Sequence, residues 1–431
     1  MTTAPTLNLY DTLEQRGLVA QTTATPDALR ARLSADQPVI AYCGFDPTAD
    51  SLHVGSLVPI MALAHLQRAG HRPIVVVGGA TALVGDPSGK TEARQMLSRE
   101  QIDTNAGCIG DQIGRIVSFS ETPGSDTPGS ETPAAVLVNN ADWLANLSWI
   151  DLLREAGPHF SVNRMLTMDS VRSRMDAEGA GISFLEFNYM VMQAYDFLHL
   201  YRSHGCTLQL GGQDQWGNIV MGIELGRRLA DASLAGLTLP LVTKSDGSKF
   251  GKSESGNIWL DANRTPPYDF FQFWRNTADA DVGKFLGYFT FLPIDEVYAL
   301  AAAQGPALNE SKAVLAYEVT KLVHGEAEAA KARDAAAKAF GAGDVTADGV
   351  PSQPLPQARL AEGLTVLDLI RDAGFASSNG EARRLVQGGG VRLHDTKATD
   401  PFQVVTADDA PDGYVLLRVG KKKLCRFDLV T

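Results

Sequence analysis

The chain has 431 residues, more than one compact domain usually holds, so two or three domains are expected. Its 44% hydrophobic and 20% charged content is that of a soluble globular protein, and the absence of any apolar run near the ~18 residues of a membrane span argues against a membrane role. The net charge of −12 argues against nucleic-acid binding spread over the whole surface, and four scattered cysteines without Cys-x-x-Cys spacing argue against a zinc site or a disulfide framework.

In chain order, residues 1–6 have neither the basic start nor the apolar core of a signal peptide, so a cytosolic location is expected. Residues 38–42 read as a buried strand, and Leu57, Ile60, Met61, Leu63, Ala64 and Leu66 recur at helical spacing. Between them Gly44, Pro47 and Asp50 supply turn chemistry, while Asp50 and Ser51 are good N-cap types. A helix start of this kind presents unpaired N–H groups suited to a phosphate, and His53 would point at the same anion. One histidine near a helix start is equally a capping or packing residue.

A second strand is expected over 72–77, followed by the turn-rich segment 78–91. Strand, helix, strand implies a parallel sheet of the dinucleotide-fold type. Gly89-Lys90-Thr91 is not a P-loop, because position 84, where that motif needs its first glycine, is Val. Ser-acid-Thr-Pro recurs at a period of five over 120–133 and reads as a solvated, disordered insertion. Short helical patterns follow over 142–174. A longer helix opens with a Ser183 and Glu186 capping pair, and its Tyr189, Gln193 and Asp196 share one face. By itself, such a face is as consistent with a satisfied core network as with a ligand site.

Residues 207–218 repeat the pattern of strand, glycine turn and helix. Lys249-Phe250-Gly251-Lys252-Ser253 places two lysines about a glycine in a polar loop. Beyond Trp259 the sequence is helix-rich, and the Gly- and Pro-rich stretch 341–356 reads as a linker. Residues 361–431 balance ten Lys/Arg against ten Asp/Glu, so the acidic excess lies upstream, and Arg383-Arg384 and Lys421-Lys422-Lys423 form basic clusters.

Residues 42–57 and 249–253 together resemble the paired ATP signatures of class I aminoacyl-tRNA synthetases, and their fuller strings resemble the bacterial tyrosyl-tRNA synthetases over nearly the whole chain. The resemblance implies an α/β, Rossmann-like catalytic domain over 1–243 with a dimer-forming insertion. A signature loop and helical anticodon-side domain would span 244–345, a linker 346–360, and a small α+β RNA-binding domain similar to ribosomal protein S4 361–431. It implies ATP-dependent activation of L-tyrosine, with Mg²⁺ accompanying ATP, then transfer to the 3′ end of tRNA by a homodimer. Tyr42 and Asp196 would meet the substrate hydroxyl, Asp86, Tyr189 and Gln193 its ammonium, and Gln215 its carboxylate side. Cys43, Gly44, Asp46, Ser56 and Asp214 would line the adenylate. Thr48, His53, Lys249, Lys252 and Ser253 would hold the phosphates, and Arg383, Arg384 and Lys421 to Lys423 would contact tRNA. Ser56 stands where the signature usually has a second histidine, and Asn379-Gly380 where Lys-Ser is usual. Other readings are a tryptophanyl-tRNA synthetase, a small-molecule adenylyl transferase and a regulatory RNA-binding protein. Tyr42 with Asp196, the C-terminal module and the intact lysine loop argue against them in turn.

Overall fold

The computed structural model describes residues 8–34, 38–88, 97–119, 132–176, 181–243, 245, 250–253, 256–340, 352–394, 396–420 and 423–430, with the side chains of 252, 253 and 338–340 outside the description. The chain divides into two units, Met1–Asp261 with Ala278–Ser311, and Ala262–Thr277 with Lys312–Thr431.

The first unit is built on six strands: β1 (Gln21–Thr22), β2 (Ile40–Phe45), β3 (Arg72–Val77), β4 (Val136–Asn139), β5 (Leu208–Gly212) and β6 (Ala235–Leu239). Their order is β1-β6-β5-β2-β3-β4, parallel except for β1. The apolar run of β3 is buried from Pro73 to Val77, as expected of a strand covered on both faces. From β2 the chain runs outward through β3 and β4 on one side, then returns to build β5 and β6 on the other. The strand order therefore reverses between β2 and β5, and a crevice opens at the carboxyl ends of strands at such a point. A two-stranded hairpin, β7 (Lys252–Ser253) and β8 (Gly256–Asn257), follows the sheet.

Helix α1 (Leu57–Arg68) buries ten of its residues. Its start differs from the expected Asp50 or Ser51 cap. A 3₁₀ turn, Val54–Ser56, precedes it, and the cap is His53, whose side chain accepts from Gly55 N. Ser51 is engaged elsewhere: its Oγ donates to Leu52 O and accepts from Asp261 N, which leaves it unable to cap. Helix α2 (Phe184–His204) begins with the expected capping box, Ser183 with Glu186, and ends at Gly205, whose φ of 68° suits a residue without a Cβ. Helix α3 (Trp216–Ala230) packs against it.

The second unit contains helices Pro267–Arg275 and Glu326–Phe340 and a five-stranded sheet. Its strands are β9 (Ser352–Pro356), β10 (Val391–Leu393), β11 (Thr396–Lys397), β12 (Tyr414–Val419) and β13 (Lys423–Val430), ordered β11-β10-β12-β13-β9. One sheet face packs on α4 (Val366–Asp372) and α5 (Asn379–Gln387) through Val366, Ile370, Ala382, Val386, Val415, Leu417 and Phe427. The stretch expected as linker supplies β9, an edge strand parallel to β13 with Leu355 buried. Pro354 and Pro356 lie two apart, so both missing N–H groups fall on the same side of an edge strand, where no partner needs them. The expected Ser-acid-Thr-Pro loop lies outside the described residues except at Thr132 and Pro133. Among the described residues no helix is long and apolar enough to cross a membrane.

Candidate active site

The crevice at the strand reversal gathers the expected residues of the first unit. Alternation along β2 sends Tyr42 and Cys43 to opposite faces of the sheet. Tyr42 packs edge-on against Phe197 of α2 at 5.2 Å between ring centroids. Its hydroxyl is buried with no hydrogen-bond partner among the described residues, and burial, reinforced by Asp196, pushes its pKa well above the ordinary phenol value. Cys43 is buried too, and desolvation raises its thiol to about 12.

Asp196 is 4% exposed. Its Oδ1 accepts from Trp143 Nε1 at 2.7 Å and its Oδ2 from Asn140 Nδ2 at 3.0 Å. Burial raises its pKa to about 7, against the lowering effect of those two donors. Trp143 is held flat against His199, with centroids 4.4 Å apart. Asn140 also donates to Thr81 Oγ1 at 3.0 Å, and Thr81 donates to Asp46 Oδ1 at 2.8 Å. Tyr189 donates to Asp46 Oδ2 at 3.0 Å, so α2 and the loop after β2 are tied into one polar network. Gly78 is required beside it, because a Cβ there would lie 2.1 Å from Asp46 Oδ1 and 2.4 Å from Thr81 Oγ1.

A second cluster surrounds Asp86. Its Oδ2 accepts from Gln215 Nε2 at 2.6 Å and its Oδ1 from Ser88 N at 2.9 Å. Asn218 bridges Gln215 Oε1 and Gln193 Oε1, each at 3.0 Å, and so links α2 to the loop after β5. Burial and then the Asp86 charge raise the Asp214 carboxyl. Asp46, Asp86, Asp196 and Asp214 make the crevice acidic, which suits an ammonium group. Among the described residues no group of three or more His, Cys, Asp or Glu is arranged to hold a metal ion.

The two sequence signatures, nearly two hundred residues apart, meet here. Val54 N donates to Ile258 O, Ile258 N to Gly251 O, and Leu260 N to Leu52 O, while His53 bridges Trp259. Gly251 has φ 81°, and a Cβ on it would lie 2.9 Å from Val54 Cγ2, so the lysine-bearing loop rests on the 3₁₀ turn. Phe250 anchors that loop against Phe285 and Phe289. His53 Nδ1 accepts from Gly55 N at 3.0 Å, which places the proton of the neutral imidazole on Nε2. Its ring lies over Gly55, where a Cβ would come within 2.7 Å of Cε1. Thr48 and Gly44 are exposed, and Ser56 makes no side-chain capping bond. Lys249, Lys421 and Lys422 lie outside the described residues, as do the side chains of Lys252 and Ser253, while Arg383, Arg384 and Lys423 belong to the second unit.

Motif reading passes over four residues that the geometry brings in. Thr81, Asn140 and Trp143 hold the two carboxylates. Gln209 pairs in register with Tyr42 and therefore shares its sheet face, and its Oε1 is likewise buried without a partner among the described residues. Gln209, a fully buried polar residue within an apolar strand, was the one detectable signal.

Comparison with known proteins bears on this site. Residues 34–341 match the family described as tRNA synthetases class I (W and Y), and residues 345–427 match the Tyrosine--tRNA ligase SYY-like C-terminal domain. The tyrosine–tRNA ligase of Clostridium tetani is 48% identical over 97% of this chain and 98% of its own length. That of Caulobacter vibrioides is 49% identical over 96% of each chain. A C-terminally truncated mitochondrial tyrosyl-tRNA synthetase of Aspergillus nidulans is 32% identical with a TM-score of 0.66, covering 76% of this chain and 92% of that one.

Proposed function

This chain belongs to the tyrosine–tRNA ligases of the class I tRNA synthetases, and from that premise we propose how its residues divide the work. The enzyme activates L-tyrosine with ATP, releasing pyrophosphate, and then passes the tyrosyl group to the 3′ end of tRNA. The observation that carries this reading is the packing of the lysine-bearing loop onto the His53 turn at the mouth of the crevice holding Tyr42 and Asp196. Pyrophosphate exchange measured across a panel of amino acids tests it. Tyrosine-dependent exchange is expected, and a preference for tryptophan would overturn the assignment.

The tyrosine carboxylate is already an anion when it attacks the α-phosphate, so no general base is needed, and catalysis rests on positioning and charge stabilisation. Asp196 accepts the substrate hydroxyl proton in a hydrogen bond, and Tyr42 donates its own hydroxyl to the same oxygen. Asp86, Tyr189 and Gln193 receive the ammonium, and Gln215 lies toward the carboxylate. Cys43, Gly44, Asp46, Ser56 and Asp214 line the nucleotide. Thr48 and His53 donate to the phosphates from one side, and Lys249, Lys252 and Ser253 from the other. Mg²⁺ bound with ATP would supply neutralisation of phosphate charge.

His53→Ala removes one charge-assisted hydrogen bond and should slow adenylate formation roughly 10- to 150-fold with little change in tyrosine affinity, read by stopped-flow fluorescence. Gly55→Ala should reproduce part of that loss, because its methyl displaces the imidazole.

The homodimer is proposed on an exposed apolar surface of the first unit. Trp149, Ile150, Leu153, Val162, Phe184 and Leu185 are all exposed there, Phe184 to 72%, with the rings of Trp149 and Phe184 in edge-on contact. Phe184→Asp should halve the mass measured by light scattering. A dimer unaffected by this substitution would place the interface elsewhere.

A further inference from the structure

The second unit carries an exposed aromatic ring that its own packing does not explain. Phe402 is 57% exposed, and the Arg383 guanidinium lies over its ring at 5.0 Å from the centroid. The exposure is imposed by a fixed backbone. Asp400 Oδ1 accepts from Phe402 N at 2.9 Å, Gln403 O accepts from Val366 N at 3.0 Å, and Val405 N donates to Leu364 O at 2.8 Å. Thr365 bridges Val404 in antiparallel fashion. Gln403 N donates to Asp400 O at 3.1 Å, closing a turn that carries Phe402 outward, and the bridged residues that follow leave Val404 exposed and bury Val405 completely.

Beside the ring, the Asp400 carboxylate is held by Phe402 N, and α5 and β13 supply cations. In α5 the buried residues are Ala382 and Val386, so Arg383 and Arg384 face outward. Glu381, on the same helix, is held below the ordinary carboxylate range first by hydrogen bonds from Ser377 and further by the charges of Lys423 and Arg384. Lys423 Nζ donates to Phe375 O at 3.4 Å, so β13 brings its cation to the same side as α5.

We propose that the open face of Phe402, backed by Arg383, stacks an unpaired base of the bound tRNA while Arg384 and Lys423 meet the adjoining phosphates. Aromatic faces flanked by cations take single-stranded nucleotides, since every base has a π-face and every linkage a negative charge. A paired base inside an A-form helix offers no such face, which is why the occupant is an unpaired one. The proposal rests on the reading that this C-terminal unit binds tRNA, and the test separates the two.

Full-length Phe402→Leu, Phe402→Trp and Arg384→Gln enzymes are titrated with tRNA(Tyr) across a salt series. Phe402→Leu should weaken binding roughly 5- to 150-fold and leave the slope of log Kd against log salt unchanged. Phe402→Trp should restore affinity and add an indole signal that tRNA quenches. Arg384→Gln should reduce the salt slope by about one. Normal binding by Phe402→Leu, with the slope still reduced in Arg384→Gln, overturns stacking and leaves the RNA surface standing. Normal behaviour in both variants overturns both. If Phe402→Leu keeps its tRNA affinity but changes the sedimentation of the protein, the ring belongs to a protein contact and the proposal fails.

Discussion

Replacing Asp196 with alanine should lower kcat/KM for tyrosine activation by roughly 10- to 150-fold, while the fold survives and the preference over phenylalanine collapses. The estimate follows from the groups that one carboxylate serves. Without it the substrate hydroxyl loses a charged acceptor, at about 1.5–3 kcal/mol of transition-state binding, while Asn140 Nδ2 and Trp143 Nε1 lose theirs in the free enzyme too and so lower its stability. Steady-state pyrophosphate exchange with the two amino acids reads both effects, and a variant that still prefers tyrosine would remove Asp196 from the hydroxyl subsite. A pH dependence accompanies it. Asp196 titrates near 7 in the folded protein, far above the ordinary carboxylate range, because burial outweighs its two donors. The ionised form is the stronger, charge-assisted acceptor of the substrate hydroxyl, so kcat/KM for tyrosine should rise as pH increases through about 7. Stability runs the other way. Between the unfolded value of ~4 and the folded value the native state holds the extra proton, so stability of the ligand-free enzyme falls as pH rises through that window. Asp196→Asn should flatten the slope in thermal melts.

Much of this site is legible in the sequence, because its parts obey local rules. The β3 strand shows as an unbroken apolar run, the start of α2 as a capping pair, and the shared face of Tyr189, Gln193 and Asp196 as helical spacing. The supporting residues are not legible in the same way. Asn140 and Trp143 stand 56 and 53 residues from Asp196, and their approach is set by the position of β4 in the sheet order rather than by any neighbouring pattern. The cap of α1 is missed for a related reason: Asp50 and Ser51 have the right chemistry, but Ser51 is drawn into contacts with Asp261 and Gln112, and a 3₁₀ turn hands the cap to His53. The requirement for Gly55 shows only once the imidazole is seen lying over it. β9 is misread because prolines usually mark linkers, whereas an edge strand accepts them at alternate positions.

A chain ending at residue 345, before β9, should retain tyrosine-dependent pyrophosphate exchange and lose charging. The cut must precede Ser352, since a later one would leave an orphaned strand of the C-terminal sheet. Every residue proposed for tyrosine or ATP lies before Glu254, and the Aspergillus nidulans structure is that of a C-terminally truncated chain with the same fold over 76% of this one. The transfer step is different, because an enzyme of net charge −12 must hold a polyanion. Arg383, Arg384 and Lys421 to Lys423 are the densest positive charge it has. With each contact contributing about 1 kcal/mol, losing all five should lower kcat/KM for tRNA on the order of 10³- to 10⁴-fold. The salt dependence is the sharper readout. Five phosphate contacts at roughly 0.7 to 0.9 released ions each give the full-length enzyme a log–log slope of tRNA affinity steeper than that of the shortened chain by about 3.5 to 4.5. A truncated enzyme that charges normally would make the C-terminal unit dispensable for tRNA, and one that loses exchange as well would make it part of the catalytic fold. Equal salt slopes would shift the electrostatic contact to residues upstream of the cut.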